Sequence, residues 1–308
     1  MVTGGAGFIG SHLVDALLER GASVRVLDDL STGRESNLSG ARGDLSFLRG
    51  SILDAPVLAK AIDGCEAVFH LAAVASVPRS IEDPIGTGQV NIEGTVQILQ
   101  AAARAKAKVV FSSSSAIYGN PATLPVDEKS LPMTLSPYAA QKLAGEAHLA
   151  AFHASIGLPS VALRYFNVFG PRQDPESEYA AVIPKFVTRA LQNRPLIIFG
   201  DGGQTRDFIY VGDVARANVM AFESKIADGR PFNLGSGTCI SVLELAKTVI
   251  AQTGSTSEVE FQPARSGEVR LSEGVVDRAR NEIGFVAQIS LGEGLRQTAS
   301  YWREALPA

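Results

Sequence analysis

The sequence predicts an α/β protein: a doubly wound parallel sheet joined to a smaller C-terminal lobe. Three observations carry that expectation. Apolar strand-like runs alternate with helix-like stretches through the first 170 residues, a glycine-rich turn separates the first strand from the first helix, and the pattern changes after Phe169-Gly170-Pro171. Regular alternation of the two signals places helices as crossovers between parallel strands. At 308 residues the chain is long for one compact core, which agrees with a main domain plus a second lobe.

The opening MVTGGAGFIGSHLVDALLERG reads as a strand end, a tight turn and a helix with Leu13, Val14, Leu17 and Leu18 on its buried side, closed by Gly21. Only Met1, Val2 and Thr3 precede the glycines, short for the central strand of a parallel sheet; either the sequence starts late or that strand is truncated. SVRVLDDL follows as an apolar strand ending in Asp28 and Asp29. Further strand-like runs lie at residues 66–73, 108–115 and 160–167, with helical patterns at 56–63 and 89–106. SPYAAQKLAGEAHLAAFHASIG carries its own helix instructions: Ser136 caps, Pro137 fits the first position, where no amide donor is needed, and Gly157 stops it. Beyond residue 170, PRQDPESEYAAVIPKF is a proline-marked loop into a helix, and LIIFGDGGQTRDFIYV reads as a hairpin-like pair around a glycine turn. PFNLGSG looks like a strand returning to the main sheet. Ser241 and Glu244 form a capping box for a helix through Ile250, and residues 275–283 and 291–302 read as closing helices. The expected division is 1–170 for the main domain, with 208–236 returning to it, and 171–207 plus 237–308 for the second lobe.

Composition narrows the function. Apolar content is 45% and the formal charge is −4 with its cations scattered, so there is no electrostatic case for nucleic acid or an anionic membrane. Cys65 and Cys239 stand alone without CxxC spacing, which fits a reducing compartment. His12, His70, His148 and His153 lack ligand spacing, and His148 and His153, five apart, do not share a helix face, so no metal is expected. No run approaches the roughly 18 apolar residues of a membrane span and no basic lead marks a signal peptide, which makes the cytoplasm the expected location.

The chemistry-bearing residues converge on one rim. Gly4, Gly7 and Gly10 form GxxGxxG, while Gly5, Gly7 and Gly10 also satisfy GxGxxG. So lean a turn lets the backbone approach a pyrophosphate at a helix N-terminus, where free amides and the dipole favour anions. Asp28 lies where an acidic residue meets an adenosine ribose, and its charge favours NAD over NADP. Leu71, Ala72 and Ala73, Ser112 to Ser115, and Tyr165 to Asn167 end strands on the same edge. Tyr138 and Lys142, four apart, share a helix face and read as an acid–base pair. A phenol of pKa about 10 needs a downward shift of roughly 3 to serve as base near neutrality, about 4 kcal/mol, part of which a lysine ammonium can supply.

Taken together, TGGAGFIGSHL, LDDLSTG, HLAA, FSSSSAIYG, YxxxK and RYFNVFGPRQ resemble the extended short-chain dehydrogenase/reductase family, specifically its nucleotide-sugar epimerases, nearly end to end. The resemblance implies a Rossmann domain with tightly held NAD, Ser114 as catalytic serine, Tyr138 as base and Lys142 on the nicotinamide ribose. It adds Phe8, Ile9, Asp29, Ser31, Gly33 and Asn91 as cofactor contacts. Ser51 stands where the family usually has an aspartate against the adenine, so that contact is either weaker or carried by the Ile52 backbone. In the second lobe it places Asn167, Arg206 and Arg265 on the substrate diphosphate, Glu268 on the uridine ribose, Leu196, Ile197 and Phe199 along the uracil, and Ser76 and Val182 in the same pocket. Guanidinium groups suit a diphosphate.

Two positions separate this chain from its relatives. The family's 4,6-dehydratases carry an Asp-Glu pair after the catalytic hydroxyl and its uronate decarboxylases a glutamate, whereas this chain has Ser115-Ala116. That implies C4 epimerisation: Tyr138 takes the 4-hydroxyl proton, NAD takes and returns the hydride, and a 4-keto sugar turns over between. Ser272 aligns with the gate to the sugar ring, where a small residue is associated with room for a 2-N-acetyl group; UDP-Glc/UDP-Gal and UDP-GlcNAc/UDP-GalNAc are the expected substrates. The alternatives are a UDP-glucuronate or other nucleotide-sugar 4-epimerase and, in another class, a non-catalytic dinucleotide-binding regulatory protein. A homodimer is expected through the small-residue faces of the helices at 89–106 and 136–155.

Overall fold

The computed structural model describes residues 1–176, 181–264 and 270–305. Among the described residues the strands are β1 (Val2–Thr3), β2 (Val24–Asp28), β3 (Leu45–Arg49), β4 (Ala67–His70), β5 (Lys108–Ser114), β6 (Ser160–Tyr165), β7 (Asn167–Phe169), β8 (Leu196–Phe199), β9 (Thr205–Tyr210), β10 (Asp228–Leu234), β11 (Cys239–Ser241) and β12 (Val259–Gln262). Helices α1 (Phe8–Leu18), α2 (Ala55–Ile62), α3 (Val77–Glu82), α4 (Pro84–Gly88), α5 (Thr95–Ala105), α6 (Pro137–Ile156), α7 (Val182–Leu191), α8 (Val211–Glu223), α9 (Val242–Thr253), α10 (Asp277–Ile283) and α11 (Leu291–Ala305) lie among them. The main sheet has the order β10-β6-β5-β4-β1-β2-β3, with every pairing parallel. From β1 the chain builds outward through β2 and β3, then crosses to β4 and builds the other way. Ligands of such sheets sit where the order reverses, outside the carboxyl ends of β1 and β4.

Local chemistry explains the helix that matters most. Ser136 Oγ accepts the Ala139 amide at 3.2 Å, Pro137 occupies the first position, and Gly157 at φ 71° ends α6 with its amide on His153 O. The predicted capping box at Ser241 and Glu244 opens α9 as expected. Leu13, Val14, Leu17 and Leu18 pack under one face of the main sheet beside α8, while α2, α5 and α6 cover the other. A third apolar cluster joins α7, α9, α11, β8 and β9. The strand expected at PFNLGSG is β10, parallel to β6.

Two expectations are corrected. The pair around the glycine turn is no hairpin: β8 pairs in parallel with β12, and β9 pairs with β7 and β11. The turn's carbonyls are used elsewhere, with Gly202 O and Gln204 O accepting the Leu243 and Val242 amides of α9 and Phe199 O accepting Gln204 Nε2. A ladder between β8 and β9 therefore has nothing to close on. The helix expected from residue 89 is not continuous either. Residues Gln89–Gly94 form a π-helical turn before α5, at the place where Asn91 reaches out to grip Val74 N and O at 2.8 and 3.1 Å. β1, with two fully buried residues, is as short as the sequence foreshadowed.

α6 is anchored to the sheet by polar groups. Glu146 meets Arg164 of β6 through two bonds, 2.9 Å to Nε and 2.6 Å to Nη2, both side chains being buried, and Ser113 of β5 donates to the same carboxylate. Arg164 Nη1 reaches Tyr118 Oη at 2.8 Å, and Tyr118 donates to Asn233 Oδ1 at 2.7 Å. The Asn233 amide bridges Val126 O and Val275 O at 3.2 and 3.0 Å. Removing one partner from a buried pair of this kind costs about 3–5 kcal/mol, since it leaves the other charge uncompensated.

Candidate active site

The glycine turn follows β1. Gly4 takes φ 68°, and a Cβ on it would lie 2.8 Å from Ala72 N. A Cβ on Gly10 would lie 2.1 Å from Gly4 O, so the turn closes against α1 only without side chains. Gly7 is the N-cap and offers no side-chain cap, and Phe8 and Ile9 open the helix. Asp28 ends β2, where Oδ2 accepts the Ala6 amide at 2.9 Å and Oδ1 the Leu30 amide at 2.8 Å. Burial pushes its carboxyl up while those amides pull it back. Asp29 is exposed and accepts the Ser31 amide at 2.9 Å, and Gly33 packs so closely on Asp28 that a Cβ there would lie 2.9 Å from its Oδ1.

These features fit a dinucleotide. The cradle has no room for a Cβ at Gly4 or Gly10, the first amides of α1 have no side-chain cap, and a carboxylate stands at the end of the neighbouring strand. Ser51 and Ile52 follow β3; Ser51 Oγ accepts the Leu53 amide at 3.2 Å, and the Ile52 side chain lies in the core under the π turn. Leu71, Ala72 and Ala73 follow β4, half-buried, across from Gly4. Ser76 caps α3 through the Arg79 amide at 3.2 Å.

At the end of β5 the structure brings the three candidate catalytic residues together. Ser114 Oγ accepts the Ala116 amide at 3.2 Å, which caps the turn Ser115–Tyr118. Burial pushes the Tyr138 phenol up and the nearby Ser114 hydroxyl draws it down. Lys142 is 4% exposed, with Nζ on Ser112 O at 2.7 Å and 5.1 Å from the Phe111 ring centroid. Its ammonium is 6.0 Å from the Tyr138 ring centroid, held on the Ser112 carbonyl rather than on the phenol oxygen. The share of the activation expected from the ammonium therefore does not act through a hydrogen bond to the phenol.

Other residues were not legible as site parts. Ser80 accepts the Tyr138 amide at 3.0 Å, which fixes the first turn of α6 against α3. Gln141 is buried, taking Asn91 Nδ2 on Oε1 at 2.7 Å and giving Nε2 to Thr87 Oγ1 at 2.9 Å. Its place beside Lys142 in YAAQK was the available signal. The Tyr165 hydroxyl bonds Asn218 Oδ1 at 2.9 Å, and the residue packs in the main core.

In the second lobe, Asn167 Nδ2 donates to Asp207 O at 3.0 Å, Arg206 Nη1 to Thr205 O at 2.8 Å, and Ser272 N to Thr205 O at 3.2 Å. Asn167, Arg206 and Ser272 are therefore drawn to one strand, β9. Leu196 is fully buried, whereas Ile197, Phe199 and Val182 are partly exposed. Arg265 and Glu268 lie outside the described residues. Among the described residues no helix is long and apolar enough to cross a membrane, and no cluster of three or more His, Cys, Asp or Glu could hold a metal.

Burial holds the Lys142 ammonium down to about 8. Folded-state pKa below the unfolded value means the unfolded chain binds the proton more tightly, so this group penalises folding below pH 8, by about 3 kcal/mol, and the penalty fades as pH rises towards the unfolded value. In Lys142→Met the penalty is gone, against about 1–3 kcal/mol for the unpaired Ser112 carbonyl. Urea unfolding of dinucleotide-free protein is expected to show the stability difference between variant and wild type moving by about 3 kcal/mol in the wild type's favour as pH rises above 8. A constant difference would contradict a buried ammonium.

The sequence profile of the NAD dependent epimerase/dehydratase family matches residues 1–235. A UDP-glucose 4-epimerase of Mycolicibacterium smegmatis is 40% identical over 98% of this chain and 98% of its own. The structure of a UDP-N-acetylglucosamine 4-epimerase from Methanobrevibacter ruminantium, in complex with UDP-N-acetylmuramic acid, is 40% identical, covers 99% of this chain and 98% of its own, and superposes with a TM-score of 0.95. A UDP-N-acetyl-alpha-D-glucosaminuronate decarboxylase of Bacillus cytotoxicus is 35% identical over 99% of this chain and 97% of its own. The reversed sheet order, the glycine-rich turn, the Ser114–Tyr138–Lys142 cluster and these likenesses agree: the chain belongs to the NAD dependent epimerase/dehydratase family of enzymes, and its cofactor is NAD.

Proposed function

We propose that this enzyme is a UDP-sugar 4-epimerase, acting on UDP-Glc/UDP-Gal and on UDP-GlcNAc/UDP-GalNAc. One observation carries the reading: Ser114, Tyr138 and Lys142 meet beside the cleft while Ser115-Ala116, the residues that open the next turn, put no carboxylate there. A decarboxylase or 4,6-dehydratase of this family is expected to need an acid at that point. The two 4-epimerases at 40% identity support the same choice.

NAD, when bound, supplies a positively charged hydride acceptor for the sugar C4. The chain's own residues do the rest. Tyr138 takes the proton of the substrate 4-hydroxyl and gives it back, Ser114 holds that hydroxyl and the phenol in line, and Lys142 contributes positive charge beneath them. Gly4, Gly7, Gly10, Asp28 and residues 71–73 hold the dinucleotide. Asn167 and Arg206 hold the substrate diphosphate, and on sequence grounds Arg265 and Glu268 join them. Residues 1–170 and 208–236 form the cofactor domain in this reading, and the remainder forms the substrate lobe. The exposed small residues Ala140, Ala147, Ala151 and Ala154 of α6 form the dimer face; sedimentation is expected to give twice the chain mass, and a monomer would remove this part.

Tyr138→Phe is expected to lose about 100-fold or more of the epimerisation rate while NAD stays bound. Sugar analysis after incubation with the Tyr138→Phe protein checks this, and a near wild-type rate would take the base role from Tyr138. A panel of UDP-sugars tests substrate range: the wild type is expected to interconvert both the hexose and the 2-N-acetyl pairs, and Ser272→Tyr to keep the former and lose the latter. Turnover of UDP-glucuronate alone would replace this reading with the alternative.

A further inference from the structure

His70, the last residue of β4, is 1% exposed and takes no part in the proposed chemistry. Its ring is bonded at both ends, Nδ1 lying 2.8 Å from Thr3 Oγ1 and Nε2 3.0 Å from Thr95 Oγ1. The proton positions follow from the partners. Thr3 Oγ1 also accepts the Leu71 and Ala72 amides, each at 3.2 Å, Leu71 sharing its hydrogen with Thr3 O. A hydroxyl has one proton and two lone pairs; with both pairs engaged, its proton goes to His70 Nδ1, which must be bare. The ring hydrogen then sits on Nε2 and is donated to Thr95 Oγ1, whose own proton goes to Asn91 O at 2.8 Å.

A second ring proton would face Thr3 with three donors for two lone pairs. It would also set a cation beside the Lys142 ammonium, the charged group that acts on this ring, in a site walled by Phe111 at 5.7 Å between centroids. Burial, with that ammonium, holds the imidazole down to about 3.

The same bonds build the cofactor cleft. Residues 71–74 are tied at their start to Thr3, the residue before Gly4, and at their end to Asn91, which grips both Val74 N and Val74 O. Asn91 continues to Gln141, one residue before Lys142. The His70 ring closes the circuit, joining Thr3 to Thr95 and so to Asn91. We propose that His70 is a positioning residue for NAD: a neutral, Nε2-protonated imidazole that holds residues 71–74 against the glycine turn and keeps that wall in register with the helix carrying Tyr138 and Lys142. The inference rests on the NAD site and is independent of which sugar is turned over.

With four histidines in the chain, 15N-imidazole labelling of the full-length protein with its bound dinucleotide resolves each ring. Long-range 1H–15N spectra, with His70 assigned by its loss in His70→Gln, are expected to show an Nε2–H tautomer that does not titrate between about pH 5 and 8. An Nδ1–H tautomer, or a midpoint inside that range, overturns the proposal. Binding gives a second readout. His70→Phe keeps a ring without either bond and is expected to bind NAD about ten-fold or more weakly, with partial recovery in His70→Gln, whose amide can still donate to Thr95. Wild-type NAD affinity in folded His70→Phe, even with lowered stability, would reduce His70 to a core residue and overturn the proposal. Should His70→Phe not fold, Thr95→Val, which keeps the ring and removes its acceptor together with the Thr95–Asn91 bond, replaces it, and unchanged NAD affinity there overturns it equally. Failure of every UDP-sugar to react would refute the proposed reaction while leaving these NAD measurements untouched.

Discussion

The site depends on one constraint: α6 buries polar and charged side chains against the sheet, and each needs a partner. Gln141, Lys142 and Glu146 are all buried. An unpaired buried charge costs several kcal/mol, so the helix has one acceptable seat, with Glu146 on Arg164, Lys142 on Ser112 O and Gln141 on Asn91. That seat sets the position of Tyr138. A helix held by apolar contacts alone would have freedom to slide or roll; three polar joints spread over two neighbouring turns remove it. Precision at the phenol is thus a by-product of satisfying buried groups further along the helix.

The same constraint explains how much the sequence revealed. Helix ends are local chemistry, so Ser136, Pro137 and Gly157, and the Ser241–Glu244 box, could be read directly. The glycine turn and the YxxxK pair were legible because dinucleotide binding and acid–base work demand particular residue types at fixed spacing. What escaped were residues whose roles come from distant partners. Arg164 sits in a strand as an ordinary cation until Glu146 and Tyr118 are beside it, and Ser80 becomes part of the site because the Tyr138 amide lies 3.0 Å away. The missed strand β3 is an edge strand whose residues are none of them fully buried, so its alternation was faint. The false hairpin failed for a tertiary reason as well: α9 takes the turn's carbonyls.

The activation of Tyr138 is a case where spacing was informative about proximity and silent about direction. Four residues along a helix do bring Lys142 under Tyr138, yet the ammonium turns to the Ser112 carbonyl. Protein alone leaves the phenol pushed up by burial. Ionisation of this phenol therefore calls for positive charge and substrate in the same cleft.

The late return of β10 has a further consequence for biogenesis. Strand β6 ends at Tyr165, but the neighbour that covers its outer edge, Asp228–Leu234, leaves the ribosome only after the intervening strands β7, β8 and β9 and helices α7 and α8 have been made. Throughout that interval a nascent chain carries an open, apolar strand edge, the kind of template that recruits foreign strands. Residues of the catalytic rim on β5 and β6 are thus exposed to misassembly during synthesis. Translation speed across the segment between β6 and β10, and shielding of the growing chain by chaperones, should weigh on the yield of active enzyme more than the equilibrium stability of the finished sheet.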